Sequence, residues 1–181
     1  MGQPAPSSTS RGGLDRRIFV ALRTRCHPRA MELAVSVFTA AGNWGAFWIA
    51  LALIFWIDGS VHGRPMIIAT PLVVYSTLVI NYAIKLALKR ERPVTDDPAL
   101  QPLVGVPSST SFPSSHAAMS FSAATIMTYI RPSWWPIFYT LAFLMSWSRV
   151  YVGVHYPSDV LAGTVVGLFM GGLWTLFFIW F

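Results

Sequence analysis

Apolar residues in this chain are gathered into long runs, and short polar breaks separate them. A helix needs about 20 residues to cross the hydrocarbon core of a bilayer, so each long run is a candidate span. A polar break at 61–64 is followed by an apolar run over 65–88, and further runs cover 115–130, 134–150 and 158–181. Residues 44–57 are apolar but short, and count as a span only if the positions around Ala41 extend them. This pattern predicts an all-α, polytopic transmembrane bundle of five spans, or six if the stretch 31–41 conceals another crossing. That stretch is itself too short to cross and is expected to lie in, or dip into, the interface.

Smaller features complete the outline. Residues 1–13 are rich in Ser, Gly, Gln and Pro and are expected to form a disordered tail, leaving 14–181 as one membrane-embedded domain. No apolar segment closely follows the early positive charges, so no secretory leader is expected. Pro132, Trp134 and Trp135 read as a turn anchored at the membrane interface, and 89–112 as a polar loop. There is no internal repeat.

Composition sharpens the membrane reading. Only 11% of residues are charged while 54% are apolar, against about 25% charged in an ordinary soluble domain. The net charge of +6 does not point to nucleic acid. Six arginines (Arg11, Arg16, Arg17, Arg23, Arg25 and Arg29) stand in the N-terminal segment, as expected of a basic membrane flank. Cys26 is the single cysteine, so no disulfide can form within the chain.

Ionisable groups that persist among apolar runs are the informative exception, because charge in hydrocarbon is costly and marks function by default. Downstream of Asp97 the sole acidic residue is Asp159, and the histidines there are His116 and His155. Downstream of Arg92 the basic residues are Arg131 and Arg149. All of these but Arg131 fall in two strings, Phe-Pro-Ser-Ser-His ending at His116, and Ser148 through Asp159. A third string begins at Lys85 and ends in Arg92-Pro93. Three cations, two histidines and a carboxylate suit the binding and cleavage of a phosphate ester.

Each string also has a plainer explanation. Lys85, Lys89, Arg90 and Arg92 are what a cationic membrane border looks like; alternatively, Lys85 and Arg92 reach one anion from a helix end and the adjoining turn. Pro113 suggests a helix start capped by Ser114 or Ser115, whose unpaired N–H groups and dipole favour an anion. His116 would lie in that first turn, either incidentally or as a proton donor. Pro157 marks another helix start with Asp159 in its first turn. A carboxylate bonded to one imidazole nitrogen of His155 leaves the other as a directed nucleophile or base; a structural His–Asp pair is the alternative. Arg149 offers a bidentate grip on phosphate oxygens that lysine lacks.

Together the strings resemble the type 2 phosphatidic-acid phosphatase superfamily. Lys85, Arg92 and Pro93 match its Lys-x6-Arg-Pro element. Pro113, Ser114 and His116 match Pro-Ser-Gly-His, with Ser115 at the glycine position. Ser148, Arg149, His155 and Asp159 match Ser-Arg-x5-His-x3-Asp. The resemblance implies metal-independent hydrolysis of a lipid phosphate monoester or diphosphate through a phosphohistidine, with no cofactor. Carried over, His155 attacks phosphorus, Asp159 orients it, and His116 protonates the leaving group. Lys85, Arg92, Ser114, Arg149 and the amides of Ser115 and His116 hold the phosphoryl oxygens. Asp96 and Asp97 read as solvated.

The implied partners are the bilayer and a membrane lipid phosphate: phosphatidylglycerophosphate, phosphatidic acid, a polyprenyl diphosphate or a polyprenyl-phosphate-linked sugar phosphate. A vanadate-dependent haloperoxidase shares the anion cage but resembles large soluble proteins. A non-enzymatic lipid or anion transporter would place its charges near mid-membrane and show repeats. The location implied is a bacterial plasma membrane. With five spans the basic N-terminus and the catalytic loops share one side, and the positive-inside rule puts that side in the cytoplasm.

Overall fold

The computed structural model describes residues 13–24, 27–96 and 101–180. Among them the α-helices are α1 (Leu14–Thr24), α2 (Arg29–Ala41), α3 (Ala46–Ile57), α4 (Gly63–Leu88), the single turn α5 (Pro93–Asp96), α6 (Ser115–Ile130), α7 (Trp135–Tyr151) and α8 (Pro157–Trp180), with no strand among the described residues. Apart from Gly13, the expected tail lies outside the described residues, as does Asp97. The expected loop over 89–112 contains α5, which Pro93 opens in the first-turn position that suits its fixed φ.

Helices α3, α4, α6, α7 and α8 form the bundle, and side-chain contacts give their directions. The indole of Trp48 donates to Ser120 Oγ at 3.0 Å, and Phe55 packs edge-on to Trp134, so α3 runs alongside α6 in the same sense. Asn81 near the end of α4 reaches Ser115 at the start of α6, and Thr125 meets Tyr139 of α7, so both neighbours are antiparallel to α6. The buried core holds Trp48, Met66, Val73, Ile126, Met127 and Phe138. The C-terminal ends of α4 and α7 and the N-terminal ends of α6 and α8 therefore meet at one end. Arg131 closes the other, stacked over Trp134 at 4.8 Å and Phe55 at 5.2 Å.

Helices α6 and α8 run parallel and touch backbone to backbone. A Cβ at Gly163 would meet the carbonyl of Ser114, and one at Gly167 the carbonyl of Ala118. Glycine lets the two helix starts, which carry Ser114 to His116 and Asp159, stand side by side, and the amide of Ser114 donates to the carbonyl of Asp159 at 2.9 Å.

Two helices, α4 with its continuation to Thr95 and α8, are long and apolar enough to cross a membrane; α2 and α3, bent by 59° at Asn43–Gly45, would make a third. The protein is an integral membrane protein. Helices α6 and α7 have 16 and 17 residues, short of the roughly 20 that a perpendicular crossing needs, so length alone does not establish the five spans expected. The bend sits where Trp44 and Gly45 take positive φ (56° and 77°), and a Cβ at Gly45 would strike Val74 of α4.

Gly167→Val should lower the melting temperature in detergent, because overpacking at that crossing costs about 1–3 kcal/mol. Gly172→Ala, with nothing within 4 Å of its new methyl, should be neutral or slightly stabilising. Equal melting temperatures for wild type and Gly167→Val would contradict the close α6–α8 approach.

Candidate active site

The end of the bundle where four helix termini meet is polar and almost closed. Lys85, Arg92, Ser111, Ser114, Arg149, His155 and Asp159 are all buried there, Asp159 completely. Each position follows from local structure. Lys85 sits in the last turn of α4 and Arg92 in the turn before α5. Ser114 caps α6 without a side-chain bond of its own, and His116 lies in the first turn. Arg149 closes α7, and the Gly153 turn (φ 86°) brings the chain back so that His155 precedes α8 and Asp159 stands in its first turn.

Asp159 and His155 face each other, Oδ2 to Nδ1, at 3.5 Å. That is long for a hydrogen bond, and the hydroxyl of Ser111 bridges the two from the side: Ser111 Oγ donates to Asp159 Oδ2 at 2.5 Å and is 3.3 Å from His155 Nδ1. The Tyr156 amide donates to the same carboxylate oxygen at 2.8 Å. On the other ring edge, His155 Nε2 is 3.4 Å from Arg92 Nη1. Burial, with Arg92 and Arg149 adding to it against the pull of Asp159, pushes the His155 imidazole down to about 3. His155 is therefore neutral at physiological pH, with Nδ1 backed by acceptors and Nε2 left as a lone pair beside a cation.

The cations are held by the protein's own oxygens. Lys85 Nζ donates to the carbonyls of Thr110 (2.6 Å) and Ser111 (3.4 Å). Arg92 donates to Ser109 O at 2.9 Å and Val154 O at 2.8 Å. Arg149 Nη1 donates to Thr39 Oγ1 at 2.6 Å, while its Nε has no partner among the described residues. Ser114 Oγ is likewise buried and unpartnered. Buried polar atoms seldom stay unpaired unless something else binds there, and both belong to residues expected to hold phosphate. Ser115 Oγ, by contrast, is turned away and accepts from the amide of Asn81 at 2.9 Å.

Four site residues were not among those expected. Thr39 of α2 takes Arg149 and Ser148 on its hydroxyl, and its carbonyl takes His116 Nε2 at 3.3 Å. A carbonyl only accepts, so Nε2 of His116 carries the hydrogen and Nδ1 remains for proton exchange. Ser111 contacts both members of the His–Asp pair. Arg90, which read as a border charge, donates to Asp159 Oδ1 at 2.8 Å and to Asp15 Oδ2 at 2.8 Å. Ser111 lies two residues before the Pro113 string, where a hydroxyl beside a motif was a usable signal. Thr39 and Asp15 had none, being ordinary residues on distant amphipathic helices.

The profile of the PAP2 superfamily matches residues 65–181. The decaprenylphosphoryl-5-phosphoribose phosphatase of Mycobacterium tuberculosis is 36% identical over 126 residues, which cover 70% of this chain and 68% of that protein. The undecaprenyl-diphosphatase BcrC of Bacillus subtilis is 28% identical over 91% of this chain and 84% of its own. A PAP2-type phosphatidylglycerolphosphate phosphatase from Bacillus subtilis superposes with a TM-score of 0.71 at 27% identity, over 90% of this chain and 83% of that one. The chain belongs to the PAP2 superfamily. It is a lipid phosphate phosphatase, a reading favoured over the transporter and haloperoxidase ones.

Thr39→Val deletes the hydroxyl that orients Arg149 and keeps the carbonyl that meets His116. It should raise KM by about tenfold, the worth of one hydrogen bond to a charged group, and change kcat less. An unaltered KM would show that Arg149 needs no support from α2.

Proposed function

We propose that the chain removes a phosphate from a membrane lipid head group by covalent catalysis on His155. The observation that carries this is the polarity of that ring, with Nδ1 backed by Ser111 and Asp159 and Nε2 exposed to Arg92. In the first step Nε2 attacks phosphorus, the bond from phosphorus to the lipid oxygen breaks, and His116, entering the cycle protonated on Nδ1 as well as Nε2, gives that oxygen its Nδ1 proton. In the second, water attacks the phosphohistidine, His116 takes its proton, and phosphate leaves. Asp159 steadies the positive charge on His155 as the bond forms. Lys85, Arg92, Arg149, Ser114 and the first-turn amides of α6 bind the equatorial oxygens, replacing loop carbonyls in part. Phosphoryl transfer depends mainly on such positioning and charge stabilisation, and the cations at this site provide it without a metal ion.

A polyprenyl-phosphate-linked sugar phosphate is the substrate favoured by the 36% relative; the 28% relative supports a polyprenyl diphosphate as the second reading. In either case the tail stays among lipids while the head group enters the end of the bundle. Purified protein assayed on both lipids should release phosphate in EDTA and be inhibited by vanadate. His155→Ala should lower kcat by roughly 10⁴-fold or more, and Asp159→Asn by less. Substantial turnover by well-folded His155→Ala protein would overturn the mechanism.

For topology we propose five crossings, by α3, α4, α6, α7 and α8, with α1 and α2 on the same side as the site. Thr39 and Asp15 support this, since both reach the site end of the bundle. The basic N-terminus then favours a cytoplasmic site and an external C-terminus. A cysteine at exposed Val106, in a Cys26→Ser background, should resist an impermeant thiol reagent in intact cells. Ready labelling in sealed cells would put the site outside.

A further inference from the structure

Asp159 is fully buried, yet one of its oxygens relies on an arginine at a position that the signature leaves unspecified. Oδ2 is used by Ser111, the Tyr156 amide and His155. Oδ1 takes Arg90 Nη1 at 2.8 Å. Arg90 does not stand alone: its other amino group, Nη2, meets Asp15 Oδ2 of α1 at 2.8 Å, and its guanidinium lies 4.6 Å over the ring of Tyr156. Asp15 in turn accepts from the amide of Ser158 at 2.9 Å and from its hydroxyl. One carboxylate of α1 thus binds both the first turn of α8 and the arginine that pins the carboxylate within that turn. The planar fork of arginine suits such a bridge, since its geometry fixes both oxygens it joins.

We infer that Asp15 and Arg90 are positioning residues, through which the N-terminal helix α1 sets the orientation of Asp159 and so of His155. The inference rests on the His155–Asp159 reading above. Asp15 precedes the PAP2 match at 65–181, and α1 is seated independently by Phe19, buried against Val150 and Tyr156. With the bridge cut, Asp159 keeps its Oδ2 partners and the fold keeps Phe19. What is lost is the fixed rotation of the carboxylate against the imidazole. Small misplacements of reacting groups are costly in rate, up to roughly 100-fold for about 1 Å. Phosphate binding by Lys85, Arg92 and Arg149 is untouched.

Full-length protein in detergent, assayed on the lipid phosphate that it hydrolyses, provides the test. Asp15→Asn should lower kcat by about tenfold and Arg90→Gln by up to roughly 100-fold, each with KM unchanged. Asp15→Glu should recover part of the loss. The double variant should be no slower than Arg90→Gln alone, because both changes break one chain of contacts. Melting temperatures and size-exclusion profiles identify any variant whose loss is unfolding, and for such a variant the comparison of Asp15→Glu with Asp15→Asn decides. Wild-type kcat in Asp15→Asn, a rise in KM in place of a fall in kcat, or effects that multiply in the double variant would overturn the inference. His155→Ala is the control: if it retains activity the covalent reading fails, whereas if it is inactive while Asp15→Asn is normal, the bridge alone fails.

Discussion

A carboxylate with no access to water is tolerated only where every lone pair it exposes is met, and the closed end of this bundle is arranged around that requirement at Asp159. Ser111, the Tyr156 amide, Arg90 and His155 surround it. Meeting it brings together the 109–114 loop, the turn before α8, the exit from α4 and, through Asp15, helix α1. The parallel contact of α6 and α8 belongs to the same solution, because it sets the amide of Ser114 on the carbonyl of Asp159. Removing any of these partners would leave the Asp159 charge less well met in a buried setting.

The bundle helices were legible because their apolar runs are long and their boundaries carry proline. The expected runs at 115–130 and 158–181 coincide with α6 and α8 to within a residue or two, with Pro113 and Pro157 at their starts. The signature strings were legible for the opposite reason, being polar residues where polarity is costly. What sequence could not reveal is which distant side chains complete them. Thr39 and Asp15 lie on short amphipathic helices, where a threonine or an aspartate is unremarkable. Arg90 sits in a run of border charges that hides it. The bend between α2 and α3 was likewise obscured, since 31–41 read as an interfacial stretch and 44–57 as a short apolar run, with no sign that α2 turns onto the site.

That bend separates two functions within one stretch of chain. Beyond it, α3 is a core helix, with Trp48, Ala52 and Phe55 buried. Before it, α2 lies along the last turns of α7, with Thr39 at Arg149 and Gly42 against Met145 and the ring of His116. A straight helix could not do both, because the directions differ by 59°. The glycine at 42 matters for the same reason: a Cβ there would strike Met145 Sδ at 2.5 Å and crowd the ring of His116 at 3.0 Å.

A division of labour follows between the two parts of the chain. In the proposed mechanism the residues from 65 onward supply the reacting groups and the cations of the site. The helices before them carry no group that touches phosphorus, yet they meet those cations and histidines from the outer side: Thr39 fixes Arg149 and the tautomer of His116, and Asp15 braces Arg90. An arginine inside an apolar bundle has many nearly equivalent rotamers unless its donors are met, and a histidine has two tautomers of similar energy until one nitrogen is bonded. On the proposed mechanism the signature strings therefore supply the reacting groups, whereas the contacts of α1 and α2 hold those groups in one arrangement.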